Sequence, residues 1–171
     1  GGMLSYNYFS GEPVTGFESG APLFVRSAES KFTLANTMRM HLYSALAALK
    51  VGMDLLLKEE QVTVDKLYGH GGFFKTKEAG QRIAAAAMNA PVSVMETAGE
   101  GGAWGIALLA AYLTEKENGS LGEFLNKRIF AGKEGSERKP DEKDVEGFEQ
   151  FMKRYRRGFE AERAAIRAMT E

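Results

Sequence analysis

The sequence predicts an α/β fold in which parallel strands are joined by crossover helices, followed by a helical C-terminal tail. Three observations predict it. From Leu34 to Lys116, helical and β-rich segments alternate as helix, strand, helix, strand, helix, the order of a parallel sheet. One of those strands ends in glycines that lead into the next helix. The residues from Asp141 to Met169 carry one amphipathic stripe.

The elements follow in order. Gly1-Gly2 ahead of Met3 reads as the remnant of a cleaved tag and takes no part in fold reasoning. Leu4-Ser5-Tyr6-Asn7-Tyr8-Phe9 has β character, Ser10-Gly11-Glu12-Pro13 is a turn, and Leu23-Phe24-Val25 is a second short strand. The pattern assigns these strands no partner. A helix is predicted from Leu34 to Leu57, capped by the Thr33 hydroxyl, with Leu42, Leu46, Leu49, Met53 and Leu56 as its buried stripe. Gly52 inside it costs ~1 kcal/mol relative to alanine, which fits close packing or simple tolerance.

Val62 to Tyr68 is the next strand, and Gly69 to Thr76 the glycine turn. A second helix is predicted from Lys77 to Met88 with Thr76 as N-cap, then a strand over Pro91 to Met95 and a glycine-containing loop from Glu96 to Gly102. The third helix, Ala103 to Lys116, is almost wholly apolar and small-residued, so burial on most sides is expected. Asn118-Gly119 ends it. Ser120-Leu121-Gly122-Glu123 is a capping box opening a short helix, Gly132 to Lys139 a charged linker, and Asp141 the cap of one long helix. That helix carries Val145, Phe148, Phe151, Met152, Tyr155 and Phe159 on its apolar stripe. No internal repeat is present.

Composition narrows the function. A chain of 171 residues, 44% hydrophobic and 26% charged, suits one globular domain with a proper core. The formal net charge of -1 offers no electrostatic footprint for nucleic acid. The absence of cysteine excludes disulfides and thiolate chemistry and fits a reducing, cytoplasmic location. His41 and His70 are the only histidines, so a histidine-rich metal site is excluded. The apolar run Ala103 to Leu113 is shorter than the ~20 residues a bilayer needs, and no membrane partner is expected.

The informative feature is the turn from Tyr68 to Thr76. Glycine lets a phosphate or purine approach the backbone with no side chain in the way. A helix N-terminus beyond it presents free N–H groups and a positive dipole end. Two standard motifs nearly match. A P-loop needs glycine immediately before Lys75-Thr76, where Phe74 stands, and a dinucleotide fingerprint starting at Gly69 needs a small residue at the same place. Without further support, a purely structural tight turn is the stronger reading.

An ordered series of segments supplies that support. Tyr8-Phe9-Ser10-Gly11-Glu12, Asn36-Thr37-Met38-Arg39, Gly69-His70-Gly71-Gly72 with Gln81, Asn89-Ala90-Pro91-Val92, and Glu100 followed by Ala103-Trp104-Gly105-Ile106-Ala107-Leu108-Leu109-Ala110-Ala111 occur in that order. Together they resemble the C-terminal part of the FGGY carbohydrate kinases, over roughly Leu4 to Tyr112. The group includes xylulokinase, ribulokinase, gluconokinase and glycerol kinase. The chain departs from the family pattern in three places. The glutamate that usually follows the arginine of the long helix is absent, Ala85 stands for an aspartate, and Asn89 for a glycine, a mild change because asparagine tolerates positive φ.

The resemblance implies an actin-like, ribonuclease-H-like ATPase domain, present in part over residues 3–119, with residues 120–171 as a helical tail on it. It implies that Gly71 and Gly72 contact the nucleotide through their backbone, that Phe73 and Thr76 lie beside adenine or ribose, and that the cofactor is ATP with Mg²⁺. The catalytic aspartate, the first phosphate loop and most of the sugar pocket would lie upstream, so no catalytic residue is expected here. The parent would phosphorylate a pentulose or related sugar, and this portion alone would be inactive.

Other candidates have plainer readings beside the functional one. Glu96 and Glu100 are a carboxylate pair suited to acid–base work, but acidic residues more often favour a helix start. His70 is a turn histidine near the expected phosphate or in solvent; His41 and Trp104 read as packing or surface residues. Lys153-Arg154-Tyr155-Arg156-Arg157, flanked by acids, reads as a solvated helix face. A different class of function is a non-catalytic interaction module docking through the long C-terminal helix. Apolar surface left exposed by truncation can drive association, which keeps a homodimer among the expected partners.

Overall fold

The computed structural model describes residues 1–76, 78–95, 101–131 and 135–169. They form two compact units: Gly1–Val64 with Ala86–Asn89 and Pro140–Glu171, and Asp65–Ala85 with Ala90–Lys139. Lys77, the Glu96/Glu100 pair with most of its glycine loop, and the start of the charged linker lie outside the described residues.

In the first unit, β1 (Met3–Tyr6) and β2 (Leu23–Arg26) form an antiparallel pair, with Met3 opposite Arg26 and Tyr6 opposite Leu23. Gly1 and Gly2 belong to this hairpin: their carbonyls accept hydrogen bonds from Lys31 N at 2.9 Å and Ser27 N at 3.1 Å. Helix α1 (Leu34–Asp54) starts at the predicted cap, Asn36 N donating to Thr33 Oγ1 at 3.3 Å, and ends in a π turn over Leu55–Glu59. By length and composition alone, Leu34–Glu59 is long and apolar enough to cross a membrane.

The predicted stripe on α1 is displaced. Leu46 is buried, but Leu49 is 54% and Leu56 46% exposed. The face turned inward holds Met40, Ala47, Lys50 and Asp54. Lys50 Nζ lies 3.3 Å from Asp54 Oδ1 and 3.1 Å from Glu149 Oε1, while Arg156 Nη2 donates to Asp54 Oδ2 at 2.6 Å. Two charges are buried there because each neutralises the other. A reading that counts only apolar residues cannot see such a face.

The C-terminal run is two helices, α5 (Glu142–Arg157) and α6 (Phe159–Met169), broken at Gly158. Asp141 caps α5 as predicted, accepting from Lys143 N and Asp144 N. The break sits where Tyr6, from far back in the sequence, reaches the helix. A β-carbon at Gly158 would collide with the Tyr6 hydroxyl, which donates to the Tyr155 carbonyl at 2.5 Å. Phe148, Phe151, Met152 and Tyr155 are buried, and Tyr155 stacks between Tyr6 and Phe159. The apolar face that a docking helix would need is therefore already core.

In the second unit, β3 (Leu67–Gly69) and β4 (Val92–Val94) run parallel; α2 (Ala79–Met88), which belongs to this unit up to Ala85, lies between them in sequence. This is the expected strand–helix–strand crossover, though β3 starts five residues later than predicted. The third strand, β5 (Ser136–Arg138), pairs antiparallel with β4 where a linker was expected. All three of its side chains are exposed, so no burial pattern betrays it. Gln81 holds it: its Nε2 donates to the carbonyls of Val92 and Ser136, both at 2.7 Å, and its Oε1 accepts from Ser136 Oγ at 3.1 Å.

Helix α3 (Gly101–Leu113) corrects a further expectation. None of its residues is buried, and Ile106 and Leu113 are 69% and 66% exposed. Only one flank is covered among the described residues, where Trp104 meets Phe130 at 5.8 Å beside α4 (Leu121–Phe124). Helix α4 opens with the predicted capping box, Ser120 and Glu123 bonding reciprocally.

Candidate functional site

The candidate site is built where the chain leaves β3. Strand alternation puts Leu67 and Gly69 on one sheet face and Lys66, Tyr68 and His70 on the other. Gly69 is buried, and the Phe74 ring lies against it: a β-carbon there would stand 2.5 Å from the ring. Phe74 N donates to Gly71 O at 3.1 Å, closing a 3₁₀ turn over Gly72–Lys75. The turn thus folds Phe74 back under the strand it came from.

That placement leaves the two middle glycines bare. A β-carbon at Gly71 or Gly72 would meet nothing within 4 Å. Gly71 has φ +95°, a conformation glycine adopts without the penalty a β-carbon imposes. Phe73 packs edge-on to Phe74 at 5.4 Å and is partly exposed, as its position beside the opening requires. The obstruction that Phe74 presents in a P-loop or dinucleotide alignment is absent, because its ring points away from Gly71 and Gly72.

The helix beyond the turn differs from expectation. Thr76 is exposed and extended, with φ -78° and ψ 99°, and α2 starts only at Ala79, after Glu78 at φ +66°. Thr76 therefore does not cap the helix. Its carbonyl accepts from Gly80 N, and the Glu78 carbonyl accepts from Arg82 N at 2.9 Å. The Arg82 bond is the regular first bond of the helix, but Gly80 N is an otherwise free N-terminal amide that the chain satisfies, leaving the helix start one donor fewer for an anion. Glu78 sets the limit: its φ of +66° lies outside the right-handed helical region, so α2 does not extend back past Ala79.

Beside the glycines, on the face carrying Lys66, Tyr68 and His70, lies a cavity of about 570 Å³. Ser93 from β4, Met95 just beyond it and Glu137 from β5 also line it, with Asn126 and Phe130. Its volume suits a small-molecule ligand. Lys66 Nζ and Glu137 Oε2 are 2.5 Å apart, and Ser93 Oγ donates to the same oxygen at 3.4 Å. The hydrogen bond from Lys66 holds the Glu137 carboxyl below its ordinary value, and that bond in turn raises Lys66.

None of Gly71, Gly72, Phe73 or Thr76 lines this cavity; it reaches the turn through His70. His70 also borders a smaller apolar cleft of about 230 Å³ against Trp104, Leu108, Leu121 and Leu125. The predicted contacts and this cavity are thus neighbours along β3 rather than one surface. Backbone approach by a ligand needs open space at the β-carbon position, which Gly71 and Gly72 have. The cavity residues Lys66, Ser93 and Glu137 were missed in the sequence. The alternation of Lys66, Tyr68 and His70 was a legible signal for one shared face, but Glu137 sat in the presumed linker.

Asn89, standing where the resemblance places glycine, has φ +49°, in keeping with the tolerance expected of asparagine. No group of three or more His, Asp or Glu able to hold a metal occurs among the described residues.

A search among curated proteins finds no match to the chain. The family model described as the FGGY family of carbohydrate kinases, C-terminal domain, matches residues 1–114, about two thirds of the chain and all of β1 to α3. The glycine turn, the β3–α2–β4 crossover and the bare backbone between them lie inside that match, and the chain belongs to the FGGY family of carbohydrate kinases, through their C-terminal domain.

Proposed function

We propose that this chain is the nucleotide-binding portion of an ATP-dependent sugar kinase that phosphorylates a pentulose or related carbohydrate, and that it is inactive alone. Kinases of this family use ATP, generally with Mg²⁺. The reading rests on one observation: at the carboxyl end of β3, Gly71 and Gly72 have open space where side chains would stand. Ligands of parallel α/β units gather outside the carboxyl ends of the strands. Gly71 and Gly72 would present bare backbone to the nucleotide, with Phe73 and Thr76 beside adenine or ribose.

Phosphoryl transfer depends on positioning and charge neutralisation more than on covalent chemistry by the protein. The part played by these residues is to admit the nucleotide closely and hold it. Phe74, packed on Gly69, fixes the turn in the open shape. The sugar would be held by parts of the kinase outside this chain. A ribonuclease-H-like arrangement, a cytoplasmic location, and partners limited to ATP and sugar, without nucleic acid or membrane, belong to the same proposal.

The test is a titration with ATP–Mg²⁺ followed by amide chemical shifts. Amides from Gly69 to Thr76 are expected to move at millimolar nucleotide. If none does, the nucleotide reading of this chain fails.

A further inference from the structure

The first unit contains a second cavity of different character, about 170 Å³ in volume. Helix α1 contributes Asn36, Arg39, Met40 and Tyr43, which share one face by their three- and four-residue spacing. Helix α5 contributes Gly147, Gln150, Phe151 and Arg154 by the same spacing. Met3, Met40 and Phe151 are buried and give it an apolar floor.

Two guanidinium groups line this space, and no carboxylate does. Arg156 and Arg163 of the same unit do have acidic partners, Asp54 at 2.6 Å and Glu160 at 2.7 Å. Arg39 and Arg154 have no acidic partner among the described residues. The Nε–H of Arg154 is shut away from water with no acceptor at all. A buried donor on a charged group that lacks a partner is costly, and such groups are rare in native proteins.

The surrounding potential agrees. The Gly1 amine is pushed below its ordinary value, first by burial and then by repulsion from Arg154, Arg39 and Lys31. The amides lining the cavity turn their nitrogens to other partners: Gln150 Nε2 donates to Glu146 Oε1 at 3.1 Å, and Asn36 Nδ2 donates to the Lys31 carbonyl at 2.9 Å.

We propose that the first unit binds a tetrahedral oxyanion of the phosphate class between Arg39 and Arg154. Guanidinium forks from two helices match the oxygens of such an anion, and the apolar floor strengthens each bond by excluding water. The buried Arg154 Nε–H then has its acceptor. The site uses no residue of the second unit and stands whether or not the glycine turn takes a nucleotide. The anion is either free phosphate or the phosphate of a small organic ester, since both present the same oxygens.

The experiment follows the arginine Nε–Hε signals by ¹H–¹⁵N spectroscopy during titration with inorganic phosphate, against chloride at matched ionic strength. A saturable shift at Arg154 with phosphate alone is expected. Arg154→Gln and Arg39→Gln should each weaken binding roughly tenfold to a hundredfold. Arg154→Lys, which keeps charge but not the fork, should also weaken it. Arg39 is exposed, so loss of binding in Arg39→Gln with an otherwise unchanged amide spectrum supports the site without any question of unfolding. Glycerol 3-phosphate run in parallel separates the two sources: tighter binding than phosphate marks an ester site, equal binding a free-anion site. A response that drifts without saturating, matches chloride, or survives in Arg39→Gln overturns the proposal.

Discussion

The Phe74 ring lies on the α-carbon of Gly69, so close that any β-carbon at residue 69 would stand 2.5 Å from it. This contact turns Phe74 away from Gly71 and Gly72. The residue that spoils two standard phosphate-binding motifs in the sequence is, in the fold, the wedge that keeps the turn open.

Gly69→Ala should therefore destabilise the second unit by about 1–3 kcal/mol through overpacking. Replacing the ring as well, in Gly69→Ala with Phe74→Ala, should recover part of that loss, because the two side chains compete for one space. Urea unfolding of the two single variants and the double variant measures the coupling. Additive losses would show that the contact is not what limits position 69.

Gly72→Val is the cleaner probe of nucleotide approach. The space at its β-carbon position is open and its backbone lies outside the positive-φ region, whereas Gly71 at φ +95° would strain with any side chain. The variant should keep the melting temperature of the parent within a few degrees and lose the ATP–Mg²⁺ shifts. Unchanged shifts with a valine at residue 72 would remove Gly72 from the site.

Asp54 should make the first unit sensitive to acid. Burial pushes its carboxyl up, but hydrogen bonds and charge from Lys58, Lys50 and Arg156 outweigh burial and hold it below its ordinary value. A carboxyl depressed in the folded state contributes stability above its unfolded value of about 3.9, and the contribution is lost as pH falls through the folded value. Asp54→Asn should cost about 3 kcal/mol near neutrality, by leaving buried Lys50 with Glu149 alone. The cost should shrink at acid pH. A pH-independent difference in denaturant midpoints would contradict the ion-pair account.

Glu162 has the opposite sign. It is fully buried; Oε1 accepts from Ala21 N at 3.0 Å, and Oε2 has no partner. Burial raises its carboxyl, only partly offset by the Ala21 N–H. Its contribution is fully present below the unfolded value of about 4.3 and is lost as pH rises through the folded value. Glu162→Gln should thus raise the melting temperature at neutral pH and match the parent at acid pH. Scanning calorimetry across that range decides it, and a variant less stable at neutral pH would refute the reading.

Gln81 should be worth about 2 kcal/mol to the second unit, since its removal leaves the carbonyls of Val92 and Ser136 without their side-chain donor. In Gln81→Leu, amide exchange should quicken along β4 and β5 more than along β1 and β2. Uniform quickening in both units would mean that the glutamine serves global stability rather than the attachment of β5.

Local chemistry made several features legible in advance. Thr33, Ser120 and Asp141 cap their helices because a side-chain oxygen reaches amides only two or three residues away. The buried face of α5 follows from a three- and four-residue apolar spacing. The parallel pairing of β3 with β4 follows from a crossover too long for a hairpin.

Long-range partners decided the rest. Strand β5 is set by Gln81 and by its ladder with β4, not by any pattern of its own. Where the long C-terminal run breaks, position 158 must be glycine because Tyr6, far back in sequence, occupies the space a β-carbon would need. Helix α1 turns Lys50 and Asp54 inward because Arg156 and Glu149 arrive from α5 to neutralise them.

The sequence by itself determined the caps at Thr33, Ser120 and Asp141, the buried face of α5, the β–α–β order and the family, because those depend on neighbours along the chain or on ordered motifs. Only the tertiary structure decided where Phe74 goes and which charges are buried. Those outcomes depend on atoms that meet in space after distant segments pack, and no local spacing records them.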